Sequence, residues 1–178
     1  MTDAITSFAE LKKFRAHVRA NLKALLHAKL LPGVRPEAWT PRQVFHHVLL
    51  AESGSMGLLE RLVAKAKELS EREPKEPWPI RQELLDFPLD TAFSMAAFRG
   101  TDPDENLPDK DLSALEDSVH SRHLALAELA QHKQLDGLAF PHPLAGKLNF
   151  YEWLAFGGIH ERLHLLQLRR DVGALPQP

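Results

Sequence analysis

Two histidines, His160 and His164, stand four residues apart in the stretch NFYEWLAFGGIHERLHLLQLRRD, residues 149–171. On a helix, side chains at i and i+4 project to one side with Cβ atoms about 5–6 Å apart. Two neutral imidazoles so placed can share one divalent ion. The wider face agrees with a helix. Trp153, Phe156, Gly157, His160, His164 and Leu168 recur at spacings of three and four, apolar at both ends with the histidines in the middle. Gly157 and Gly158 remove bulk one turn earlier, where a ligand or a neighbouring backbone could approach. Such a pair also occurs on plain surfaces and in satisfied cores, so by itself it does not make a site.

His160-Glu161-Arg162-Leu163-His164 also matches H-E-x-x-H, the zinc metalloprotease signature in which Glu is the general base. The extended form needs a Gly and a third His further on, and Gln167 and Arg170 stand there instead. Another zincin type takes a glutamate from a later helix. Only a short tail ending Leu175-Pro176-Gln177-Pro178 follows, so the protease reading is set aside. A third ligand is expected upstream.

Composition narrows the classes. The chain has 178 residues, 44% hydrophobic and 26% charged, which suits one domain over 1–178 with a real core. A net charge of −2 offers no electrostatic case for nucleic acid. No apolar run approaches a membrane span. Met1-Thr2-Asp3-Ala4 lacks the charged-then-apolar pattern of an export signal, so a cytoplasmic protein is expected. With no cysteine there is no disulfide, thiolate ligand or cysteine nucleophile, and the ten histidines become the natural soft ligands.

The elements that must position the pair read as four long helices. Ser7-Phe8-Ala9-Glu10 is a capping box. It opens a first helix with Leu11, Phe14, Val18, Leu22, Leu25 and Leu26 on one face, running to about Leu30 before Pro32-Gly33. Lys12, Lys13, Arg15, Arg19 and Lys23 read as its solvated face. Thr40, Pro41 and Gln43 give the second helix an N-cap, a first-turn proline and a box partner. Its stripe uses Val44, Val48, Leu58, Leu59 and Leu62, with His46 and His47 near the start and an end near Leu69. From Glu71 to Lys110, six prolines forbid a long helix. One short helix near Thr91–Phe98 fits between them. Trp78, Phe87, Phe93 and Phe98 make this stretch a crossover packed over the bundle, not a disordered linker. Ser113-Ala114-Leu115-Glu116 opens a third long helix to about His132. Asn149, with Glu152 three residues on, opens the last. No convincing strand is expected. The fold class is all-α: a four-helix bundle with one long crossover between the second and third long helices.

Two segments carry a resemblance to a known family. One is Trp39-Thr40-Pro41-Arg42-Gln43-Val44-Phe45-His46-His47-Val48-Leu49-Leu50-Ala51-Glu52. The other is His142-Pro143-Leu144-Ala145-Gly146-Lys147-Leu148, then Glu152-Trp153, then His160, His164 and Gln167. In order and spacing the chain resembles the DinB/YfiT-like metalloenzyme superfamily over nearly its whole length. The resemblance implies a bundle with a three-histidine metal site. On its Val-x-x-His-x-x-x-x-Glu frame the first ligand is His47, not His46, with His160 and His164 as the other two. It implies a divalent ion, zinc or nickel. The activities it implies are those of relatives: transferases and isomerases using low-molecular-weight thiols such as bacillithiol, mycothiol or glutathione.

The chemistry agrees with that site. Three imidazoles leave a position open, as catalytic zinc sites do, whereas structural zinc is closed by four protein ligands. The resemblance, with this site, implies a metal-dependent enzyme acting on a small molecule, as a thiol-dependent transferase or a hydrolase. The alternative is a non-catalytic metal-binding or stress-response bundle. A homodimer is expected from an apolar face left over on the first or third helix. Around the site, His46 points about 100° away from His47 and reads as packing or surface. Glu161 reads as an exposed partner of Arg162 or Arg169, with a base behind the ligands as the alternative. Gln167 could bond a ligating imidazole or the substrate, or be a plain buried amide. His120 and His123 read as surface histidines. Trp39, Trp78 and Trp153 read as core.

Overall fold

The computed structural model describes residues 5–34, 38–74, 76–86 and 100–174. In chain order these form α1 (Phe8–Ala24), α2 (Pro41–Lys65), a single-turn α3 (Gln82–Leu85), α4 (Asp109–His132), β1 (Ala139–His142), β2 (Gly146–Asn149) and α5 (Phe150–Asp171). The four long helices make a four-helix bundle in which α1 and α2 both pack on α5 and α2 packs on α4. No helix among the described residues is long and apolar enough to cross a membrane.

The caps set the helix starts. Thr40 and Gln43 close a reciprocal box at α2, with Pro41 in the first turn. Asn149 and Glu152 do the same at α5. At α1, Ser7 accepts from Glu10 N–H, while the Glu10 carboxylate reaches past it to Thr6 N at 2.8 Å. α4 starts four residues before the expected Ser113, with Pro108 as N-cap and Asp109 and Asp111 favourably placed in the first turn. α1 ends at Ala24, short of Leu30, because the chain leaves the helix to meet the end of α5, where Leu31 N–H donates to Asp171 O at 2.8 Å. α2 ends at Lys65, short of Leu69.

The crossover between α2 and α4 is present, and its described part is tied down. Trp78, Leu84 and Leu85 enter the core. Arg81 Nε lies 2.6 Å from Glu152 at the start of α5. The helix expected near Thr91–Phe98, with Phe87, Phe93 and Phe98, lies outside the described residues. A small hairpin was not foreseen. β1 and β2 pair antiparallel with His142 opposite Gly146, whose φ of 70° suits a residue without Cβ. Two four-residue strands, one holding Pro141, are too short to show a period-two pattern.

The interior is layered. One apolar cluster holds Leu11, Met56, Leu126 and Tyr151; the other holds Val18, Leu49, Val119 and Leu165. Between them each long helix contributes a buried polar group: Arg15 on α1, Glu52 on α2, His123 on α4 and Glu161 on α5.

Candidate metal centre

The cap at Thr40 starts α2 so that His47, on its second turn, faces α5. There it meets His160 and His164. One ring nitrogen from each of the three lies within 4.8 Å of the others. The Nε2 atoms of His160 and His164 are 3.1 Å apart. The His47 ring centroid lies 5.5 Å from that of His160 and 5.0 Å from that of His164. Trp39 walls one side, its ring 4.9 Å from His47.

Each partner of these rings decides where a proton sits. His47 Nδ1–H donates to the carbonyl of Thr101 at 2.8 Å. His164 Nδ1–H donates to Gln167 Oε1 at 2.9 Å. With the proton held on Nδ1, the lone pair of each ring lies on Nε2, as a metal ligand requires. Burial adds to this. It pushes the His164 pKa down to about 4, with His47 contributing. It pushes His160 well below the ordinary value, helped by His164, His47 and His142, and it lowers His47 too. All three are neutral at pH 7. His164 Nε2 then accepts from His160 Nε2–H, the one proton an ion would displace. Three converging Nε2 atoms of neutral imidazoles are a donor set a divalent cation uses, so the residues present fit such an ion.

The neighbours fall differently from several expectations. His46 is buried and accepts from Asp104 N–H at 3.1 Å, outside the triad. Glu161 is not an exposed partner of Arg162 or Arg169; it is 0% exposed. Its carboxylate receives Arg15 Nη2 at 3.1 Å and Arg19 Nε at 2.8 Å. Burial alone would raise its pKa, but Arg15 and Arg19 outweigh that and hold it below the usual carboxylate range. A carboxylate so engaged is not a protease base, which removes the remaining ground for the H-E-x-x-H reading. Arg162 instead donates to Leu85 O and Arg169 to Asn21 Oδ1.

Arg15 and Arg19 are therefore not on a solvated face. They turn inward to bond Glu52 as well, at 2.6 and 2.8 Å. The glycines serve this packing. A Cβ on Gly158 would lie 2.8 Å from Phe14 Cε1, and one on Gly157 would lie 3.3 Å from Arg15 Nη1. The room they leave is for α1, not for a ligand. His120 is exposed as expected, but His123 is only 4% exposed and bonds the backbone of Leu154. Trp78 and Trp153 are core, whereas Trp39 is half-buried beside the triad.

Thr101 was missed, since a backbone carbonyl leaves no mark in sequence. Arg15, Arg19 and Glu52 left a faint one: each interrupts or borders an apolar stripe.

Comparison with known proteins agrees with this architecture. The crystal structure of TT2238, a four-helix bundle protein, matches 92% of this chain and 99% of that one at 26% identity, with a TM-score of 0.56. No curated protein matches the chain. Residues 32–168 match the family model of the DinB superfamily. That match covers most of the chain, including α2, the crossover, α4 and all three histidines of the triad, so the chain belongs to the DinB superfamily.

Proposed function

We propose that the protein is a metal-dependent enzyme in which His47, His160 and His164 hold one divalent ion, zinc or nickel. In this reading it acts on a small molecule, as a thiol-dependent transferase or a hydrolase. The observation that carries the reading is the tautomer control. Thr101 O and Gln167 Oε1 hold the Nδ1 protons of His47 and His164, so their Nε2 lone pairs meet His160 at one point. Membership of a superfamily that typically binds metal supports it. An ion held there supplies Lewis acidity, which makes a water or a thiol nucleophilic near neutral pH. The chain's own part is to orient the imidazoles and keep them neutral. It has no cysteine, so any thiol comes from outside, as a low-molecular-weight cofactor.

Metal analysis of the purified protein tests the site. One ion per chain is expected. His47→Ala, His160→Ala and His164→Ala should each abolish stoichiometric binding, and His46→Ala should leave it nearly intact. If none of the three matters, the metal reading is falsified. A transferase screen of the metal-loaded protein with bacillithiol, mycothiol and glutathione, run beside a panel of hydrolysable esters and amides, then tests the enzyme reading. A loaded protein inert in both would instead be a non-catalytic metal-binding bundle.

A further inference from the structure

The motif His142-Pro143-Leu144 has so far no role, although His142 lies at the end of β1 beside the ligand-bearing stretch of α5. Its ring packs on Phe156, centroids 4.2 Å apart, and against Trp153 at 5.1 Å. Phe156 in turn stacks near-parallel, at 15°, on His160, one turn along the same helix. His142 is near enough to His160 that charge on one disfavours charge on the other.

The hairpin turn settles which nitrogen carries the proton. His142 Nδ1 accepts two backbone N–H groups, from Leu144 and from Ala145, both at 3.1 Å. A nitrogen that accepts twice has no hydrogen of its own. The neutral ring must then carry its proton on Nε2, and that N–H has no partner among the described residues. Burial keeps the ring neutral, with a pKa pushed down to about 4. The result is an imidazole of one fixed tautomer, packed against two aromatic rings of α5, with one spare donor.

We propose that His142 Nε2–H is a substrate-binding donor that holds an oxygen acceptor, a carbonyl or a carboxylate, of a small molecule bound at the histidine triad. This rests on the metal reading above. A neutral donor suits the place: a protonated histidine would repel a cation nearby, and a hydroxyl would not be fixed in direction. The Trp153 and Phe156 rings against it lower the local polarity and so strengthen a bond to this donor.

Two substitutions separate the donor from the turn. His142→Asn keeps an acceptor where Nδ1 sits, so the hairpin stays capped, but it deletes the outer N–H. His142→Gln carries an N–H at about the reach of Nε2. Acetohydroxamate, which chelates a metal through its carbonyl and hydroxamate oxygens and leaves a lone pair on them to accept a hydrogen bond, is titrated calorimetrically into the zinc-loaded proteins. His142→Asn should weaken its binding about five- to tenfold, the loss of one hydrogen bond, with zinc stoichiometry unchanged, and His142→Gln should recover most of it. Long-range 15N–1H correlation spectra of the metal-free wild-type chain should show His142 as the Nε2–H tautomer. An Nδ1–H tautomer, or equal acetohydroxamate affinity in His142→Asn, overturns the assignment while leaving the metal site standing. A wild-type protein that takes up no zinc overturns both.

Discussion

Replacing Arg15 by Met tests the polar layer at the centre of the bundle. Arg15 Nη2 lies 2.6 Å from Glu52 Oε1 and 3.1 Å from Glu161 Oε1, and its Nε lies 3.2 Å from Glu161 Oε2. Arg15 is 6% exposed, Glu52 2% and Glu161 0%. Two carboxylates and two guanidiniums thus balance in a nearly dry interior. Methionine would fill much of the volume but leave both carboxylates to Arg19 alone. Removing one partner from a buried ion pair costs about 3–5 kcal/mol, because the other charge stays buried. For a chain of this size each kcal/mol lowers Tm by about 2–4 °C, so a drop of roughly 6–20 °C is expected. Replacing the whole layer, Arg15→Met with Arg19→Met, Glu52→Leu and Glu161→Leu, should cost far less or even stabilise, since no charge is then left stranded. Urea and thermal melts at pH 7 measure both. A single variant that loses less than about 1 kcal/mol, the range of exposed pairs, refutes the argument, for the layer would then be solvated.

Gln167→Ala should weaken metal affinity about ten- to a hundredfold with little change in melting temperature, because it frees the His164 ring and its tautomer; competition with a chromophoric chelator reads it. Gly158→Ala should destabilise by about 1–3 kcal/mol in urea melts, since its Cβ would meet Phe14 Cε1 at 2.8 Å. Metal-free protein should lose stability in acid. Burial holds His46, His47, His123, His142, His160 and His164 below the ordinary value of 6.5, so the unfolded chain takes up protons first. Their contribution is complete above about 6.5 and is lost as pH falls toward about 4, the value reached by His142 and His164. Glu52, pushed up by burial and by Glu161 against the pull of Arg15 and Arg19, works in the opposite sense, but it is one group against six. Melts across this range showing no loss on acidification would contradict the neutral, buried imidazoles. Light scattering should return the mass of a homodimer, and a monomer at high concentration would count against that assembly.

What the sequence determined by itself is what depends on near neighbours. The caps at Thr40 and Asn149, the apolar stripes and the proline cluster are local signals, and they fixed three of the four long-helix starts and the crossover. The i,i+4 spacing of His160 and His164 is geometry of a single helix, so it survives folding unchanged. His47 was within reach only through a family pattern, because nothing local ties α2 to α5. Tertiary structure decided the rest. Arg15 and Arg19 look like any charged helix face until the carboxylates of Glu52 and Glu161 arrive, from 37 and 146 residues away for Arg15 and from 33 and 142 for Arg19. Glu161 looks exposed beside two arginines of its own helix, yet its true partners lie on α1. The glycines look like room for a ligand until Phe14 fills it. The proton positions on His47 and His142 depend on backbone groups, the Thr101 carbonyl and the Leu144 and Ala145 amides, whose chemistry is the same in every residue. Side-chain type records none of that; only the path of the chain does.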